Sequence, residues 1–233
     1  MSICRGLALL GATGWLVLAS AGFASAGQVP IESAGTSFNV PITTFKEMHF
    51  RRVVHQQYDY SCGSAALATL LTYHYERPTL ESTALKWMFE HGDQAKIRKE
   101  GFSLLDMKRY LASIGLDGEG YRVTLDKIAQ VGIPGIILVN VKGYSHFVVL
   151  KGIRGDKVLI GDPALGAKLM TREDVEKIWT GVFFTVASDV KEAKAEFNRK
   201  DDWAAQASAP LGWAMSRESL ASMTLLLPSA QSF

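Results

Sequence analysis

The stretch HFVVLKGIRGDKVLIGDP, residues 146–163, leaves this chain little freedom. Two β-rich runs, 146–153 and 157–161, flank Arg154-Gly155-Asp156. Branched and aromatic side chains suit a pleated, half-buried surface, and a short break with Gly at its centre is a hairpin turn. The two runs are expected to pair antiparallel, which commits the C-terminal half to an antiparallel sheet. A turn about Arg154-Gly155 sets His146 level with Asp162-Pro163, so an imidazole and a carboxylate arrive side by side at the hairpin's open end.

Upstream the periodicity is helical. Ser61 is placed to cap a helix whose positions Leu67, Leu70, Leu71 and His74 fall at i, i+3, i+4 and i+7 and which ends before Pro78. Cys62 lies in its first turn. A second helix is expected over 80–91, and a third after Ser103, with Asp106 as capping-box partner and Gly115 as the stop. A strand over 120–123, a helix over 125–131 and a strand over 136–141 lead into the hairpin. A helix capped by Thr171, with Asp174 at its third position, and a strand over 182–187 complete the body. The fold class is α+β, with N-terminal helices packed on a C-terminal antiparallel sheet.

The ends read differently. Arg5, an apolar run over 6–23 and the small-x-small triplet Ala24-Ser25-Ala26 form a secretory signal, 1–26, with cleavage expected after Ala26 and an uncleaved anchor as the alternative. Residues 27–44 are a spacer or an edge strand, 45–188 the domain, and 189–233 a charged helical segment followed by a tail. The tail carries Trp203, Trp213 and the run MTLLLP, and docking onto its own domain is the expectation for it. A 233-residue chain that is 48% apolar supplies one domain's core. Its net charge of +2, with both signs interspersed, lacks the basic stripe that nucleic acid demands.

Signal removal takes Cys4 away and leaves Cys62 as the one cysteine, so no intramolecular disulfide forms. A lone cysteine is commonly a small buried hydrophobe. Cys62, however, heads a helix, where unpaired N–H groups and the macrodipole favour a thiolate, and Gly63 removes a side chain that would crowd a substrate. A cysteine nucleophile needs an imidazole. His55 lies on the approach segment, His74 on the helix's buried stripe three turns away, His91 at the end of another helix, and His49 has no feature in its favour. His146 opens a strand at a sheet end, with Asp162 beside it to orient the ring. The oxyanion of a tetrahedral intermediate needs donors: the Cys62 N–H is one, and either Gln56 or Gln57 is the other, since an extended approach points the two in opposite directions.

Gln56-x5-Cys62-Gly63 followed by a small-residue helix, and then His146 and Asp162-Pro163 sixteen positions apart, resembles the bacteriocin-processing, double-glycine cysteine peptidases of the papain-like group. The likeness covers 51–187. It implies a papain-like fold and a peptidase without cofactor or metal, with Cys62 as nucleophile, His146 as general acid/base, Asp162 as its orienting partner and Gln56 as the oxyanion-hole residue. The residue before the cysteine is often Asp in the family and is Ser61 here. Typical members head a peptide-exporting ABC transporter and cut leaders after Gly-Gly. This chain has no transporter spans or nucleotide motif, and its signal directs it outward to the periplasm or beyond.

It is therefore similar to the exported, stand-alone branch, some of which accompany functional-amyloid secretion systems, as YDYSCGSAALATLL and EGFSLLDMKRYL suggest. The implied partners are a polypeptide substrate and a secretion-system or fibre-subunit protein, with no nucleic acid and no membrane span once the signal is removed. A catalytically silent or slow peptide-binding escort is the competing reading, and retention of every triad residue type argues against it. Amide crosslinking would use the same triad, and product analysis separates it from hydrolysis.

Overall fold

The computed structural model describes residues 28–33, 36–41 and 45–204. The signal segment 1–26 and the tail beyond 204 fall outside them. In the stretch read as a spacer, β1 (Gln28–Ser33) and β2 (Thr36–Pro41) pair antiparallel as a two-stranded sheet, a unit separate from the body.

In the body, α1 (Phe45–His49) precedes α2 (Cys62–His74), α3 (Glu81–His91), α4 (Gln94–Glu100) and α5 (Leu104–Ser113). The remaining elements are β3 (Gly118–Arg122), α6 (Leu125–Val131), β4 (Gly135–Val141), β5 (Tyr144–Arg154), β6 (Lys157–Asp162), β7 (Gly166–Thr171), α7 (Arg172–Ile178), β8 (Trp179–Val186), α8 (Val190–Glu196) and α9 (Lys200–Ala204). The six strands form one fully antiparallel sheet in the order β3-β8-β4-β5-β6-β7.

The expected helices and strands form near their expected bounds. Ser103 and Asp106 make the reciprocal capping box of α5, and Thr171 accepts the Asp174 N–H at the start of α7. Besides the five-residue α1, two elements were not anticipated. Helix α4 is short and charged, with no apolar stripe to betray it, although Asp93 caps it through the Lys96 N–H. Strand β7 alternates too weakly to stand out, and its existence follows from the turn after Asp162, where Gly166 takes a φ of 84° beside Asp162 in the β6–β7 register.

The sheet has two covered faces. On one, Ile136, Phe147, Val149 and Phe184 pack against Leu67, Leu70 and Leu71 of α2 and Met107 and Leu111 of α5. On the other, Ile137, Val148, Leu150 and Ile160 pack against Ile128 of α6 and Val175 of α7. Each fully buried aliphatic side chain contributes about 1.5–3 kcal/mol relative to exposure. Helix α2 was expected to bury one stripe. Instead every residue from Cys62 to Leu71 is buried, because α3 and the sheet enclose it, and its small Gly63, Ser64, Ala65, Ala66 and Ala68 permit that close approach.

The hairpin register also differs from the expected one, for a physical reason. The β5–β6 turn leaves Arg154 opposite Lys157, and the pairing then shifts by one residue at a bulge between Leu150 and Gly152, so that Val149 faces Gly161. One further step sets Asp162 opposite Val148, diagonal to His146 rather than level with it. Without the bulge, Asp162 would oppose Val149 and point to the other face of the sheet. The extra residue, Lys151, is thus what brings carboxylate and imidazole to the same side.

Candidate active site

Cys62 is a free thiol, 4% exposed, at the start of α2. Ser61 does not cap that helix. Its hydroxyl accepts the Tyr58 N–H and donates to the Tyr58 carbonyl, each at 3.0 Å, closing the turn that enters the helix. The Ser61 hydroxyl therefore does not compete for the first N–H groups of α2, whose partial positive charge lies beside the sulfur. The expected cap is replaced by a turn lock, and the helix end is left open for chemistry.

His146 is the third residue of β5, which follows a two-residue turn from β4. Lys142 and Gly143 both have positive φ, 53° and 86°, as a twisted hairpin turn requires, and the Asn140 side chain accepts the Gly143 N–H at 2.9 Å. The His146 Nε2 atom lies 2.8 Å from Asp162 Oδ1. The Cys62 thiol also acts on the ring to favour its charged form, and with Nε2 engaged by the carboxylate, Nδ1 is the nitrogen left to face it. Burial disfavours the charged ring, but the hydrogen bond to Asp162 and the influence of Cys62, together with their charges, outweigh it and push the His146 pKa up to about 9. For Asp162, burial acts against ionisation. The hydrogen bonds and charges of His146 and Lys168 prevail, holding its carboxyl well below the usual range.

The other histidines are elsewhere. His49 Nδ1 contacts the Ala167 carbonyl, His55 packs on Phe50, His91 stacks on Trp87, and His74 is fully buried at the far end of α2.

The two glutamines are distinguished by the loop they occupy. The backbone N–H of Gln56 donates to the Pro163 carbonyl at 3.0 Å, tying it to the Asp162-Pro163 corner, and its side chain is partly buried and donates to the Tyr58 carbonyl. Gln57 is exposed. Gln56 is thus held between the turn that precedes Cys62 and the strand end that carries Asp162.

Sequence reasoning missed Lys168 and Tyr144. Lys168 Nζ lies 2.8 Å from Asp162 Oδ2, reaching across from β7, and the missed strand hid it. The Tyr144 hydroxyl donates to the Asp59 carbonyl at 3.0 Å, joining the β4–β5 end of the sheet to the loop before Cys62. Its place one residue after a Lys-Gly turn was the available signal. Beside the thiol lies a cavity of about 420 Å³, lined by Phe102, Leu104, Leu105, Leu138, Tyr144 and Phe147. A second, more polar hollow of about 610 Å³ continues past Tyr144 to Asp59, Arg98 and Lys99.

A cysteine at the head of a buried helix, set against an antiparallel sheet that carries a histidine–carboxylate pair, defines the papain-like cysteine peptidases. The sequence profile described as "Peptidase C39 family" matches residues 51–191, and the chain belongs to that family and is a cysteine peptidase. It is 41% identical over 180 residues to the "Probable functional amyloid protease FapD" of Pseudomonas fluorescens, covering 76% of this chain and 80% of that protein. The protein of the same description from Pseudomonas aeruginosa is 42% identical over 145 residues, covering 62% of this chain and 64% of its own length. Among solved structures, the peptidase domain of Streptococcus ComA, a bi-functional ABC transporter involved in a quorum sensing pathway, is similar with a TM-score of 0.51 and 21% identity, over 58% of this chain and 97% of that one. That likeness supports the papain-like fold.

Proposed function

We propose that this chain is an exported endopeptidase that cuts a polypeptide after small residues such as Gly-Gly, with Cys62 as nucleophile, His146 as general acid/base, Asp162 as its orienting carboxylate and Gln56 in the oxyanion hole. The observation that carries this reading is the His146–Asp162 contact at 2.8 Å beside the thiol that heads α2. The Cys62 proton resides on His146 Nδ1, and the sulfur attacks the scissile carbonyl. The Cys62 N–H and the Gln56 amide stabilise the oxyanion. The imidazolium then protonates the leaving amine, and an acyl-enzyme remains. Water, deprotonated by the same ring, releases the new carboxylate and restores the thiol.

The apolar cavity beside Cys62 suits an extended peptide with apolar side chains on one side of the cut. The similarity to proteins described as functional amyloid proteases supports a fibre-subunit or secretion-system protein as substrate or partner and a place outside the cytoplasm, reached through the 1–26 signal. Among the described residues no helix is long and apolar enough to cross a membrane.

The test is cleavage of peptides with a central Gly-Gly in water enriched in oxygen-18. Hydrolysis places one heavy oxygen in each new C-terminal carboxylate and is abolished in Cys62→Ala. Products joined through new amide bonds, or binding without any product, would overturn the reading.

A further inference from the structure

The Asp162 carboxylate, 3% exposed, serves two cations rather than one. Its Oδ1 accepts from His146 Nε2 at 2.8 Å and from the Ala164 N–H at 3.0 Å, while its Oδ2 accepts from Lys168 Nζ at 2.8 Å. Lys168 lies opposite Ile160 in the β6–β7 register and so one diagonal step from Asp162 on the same face. It enters from the solvent side, with about a third of its side chain exposed.

The small cavity beneath these groups is otherwise lined by apolar side chains, among them Ile137, Val148, Ile160, Met170 and Val175. The charged or titratable groups facing the pair are therefore Lys168 from β7, His146 from β5 and Asp162 from β6, with Cys62 of α2 on the far side of the ring.

A carboxylate with a single cationic partner directs its whole charge at that partner and remains free to rotate. Here the Ala164 N–H and the Lys168 ammonium fix its plane from two sides, and the ammonium shares its charge. We propose that Lys168 is a positioning residue that fixes the Asp162 carboxylate and divides its charge, so that His146 keeps one orientation while its proton stays transferable to the leaving amine. This inference rests on the peptidase reading of the site.

The test is titration of the His146 ring by nuclear magnetic resonance in the full chain carrying Cys62→Ala, which removes the thiol's contribution. Lys168→Met, Lys168→Arg and Asp162→Asn are compared in that background. With Lys168→Met the His146 midpoint is expected to rise by about half a unit to one unit, less than a fully buried charge would give because Lys168 is partly exposed. Lys168→Arg is expected to hold it in place. With Cys62 intact, Lys168→Met is expected to lower kcat several-fold with KM little changed, and to move the basic limb of the pH profile upward.

A His146 midpoint that stays put or falls in Lys168→Met, or an Arg variant that behaves like Met, overturns the inference. If Asp162→Asn leaves the midpoint unchanged, the His146–Asp162 pairing itself fails, and the peptidase mechanism fails with it. The two failures are thereby told apart.

Discussion

Lys151, the residue of the β5 bulge, is 1% exposed, and Asp202 of α9, 5% exposed, lies 3.0 Å from its ammonium. The ammonium also donates to the Arg52 carbonyl at 3.0 Å, while the Arg52 guanidinium pairs with Glu196 of α8 and Asp202. Residues 192–204 lie past the family match, yet they supply both counter-charges. Asp202→Asn removes the carboxylate and leaves a buried ammonium facing neutral acceptors alone, the Arg52 carbonyl and the new amide oxygen. Breaking a buried pair in this way costs about 3–5 kcal/mol, or roughly 6–20 °C in Tm for a protein of this size.

Burial holds the Lys151 pKa below its usual value despite Asp202, and without Asp202 the amine loses its proton more readily still. The unfolded chain binds more protons at this site than the folded one. Stability therefore rises with pH, and the deficit of Asp202→Asn should shrink between pH 7 and 9. Urea denaturation of the wild type, Asp202→Asn, Lys151→Met and the double variant measures it, with the double variant recovering much of the loss. A deficit for Asp202→Asn below about 1 kcal/mol at pH 7, or one that grows with pH, would refute the reasoning.

The rate of peptide hydrolysis should fall as pH rises through about 9, where His146 loses its proton, and Asp162→Asn should bring that limb down by roughly 1–3 units in a pH–rate profile. The pair's contribution to stability follows the same signs: the His146 part is complete below its ordinary 6.5 and lost as pH climbs through about 9, and the Asp162 part is present above 3.8 and lost only in stronger acid. Gln56→Ala should lower kcat about 10²–10³-fold while Gln57→Ala stays near wild type in steady-state assays. Gly166→Ala should lower stability and activity together, as read by melting and peptide cleavage. A methyl group at its φ of 84° would lie 2.7 Å from the His49 Cβ and press the corner beside Asp162.

The parts legible in the sequence were those fixed by local chemistry. The Gly155 turn between β-rich runs announced the β5–β6 hairpin, and Ser103 and Thr171 announced their helices, because caps and turns depend on neighbours a few residues apart. The union of Cys62 with the hairpin's histidine was legible through the needs of a thiol nucleophile. What escaped depended on partners distant in the chain. The bulge residue Lys151 pairs its ammonium with Asp202, fifty-one residues later, and no local pattern encodes that contact. Ser61 had two hydrogen-bonding options, and the Tyr58 turn won over the helix end. Lys168 went unseen because β7 is a strand only by virtue of pairing with β6.

The most direct test of the central claim is the rate at which Cys62 is alkylated by iodoacetamide at neutral pH, followed by mass spectrometry in the wild type and in His146→Ala. A sulfur held as thiolate by the imidazolium should react at least about tenfold faster in the wild type than in the variant. Equal rates in the two proteins would mean that His146 does not activate Cys62, and the triad assignment would fall.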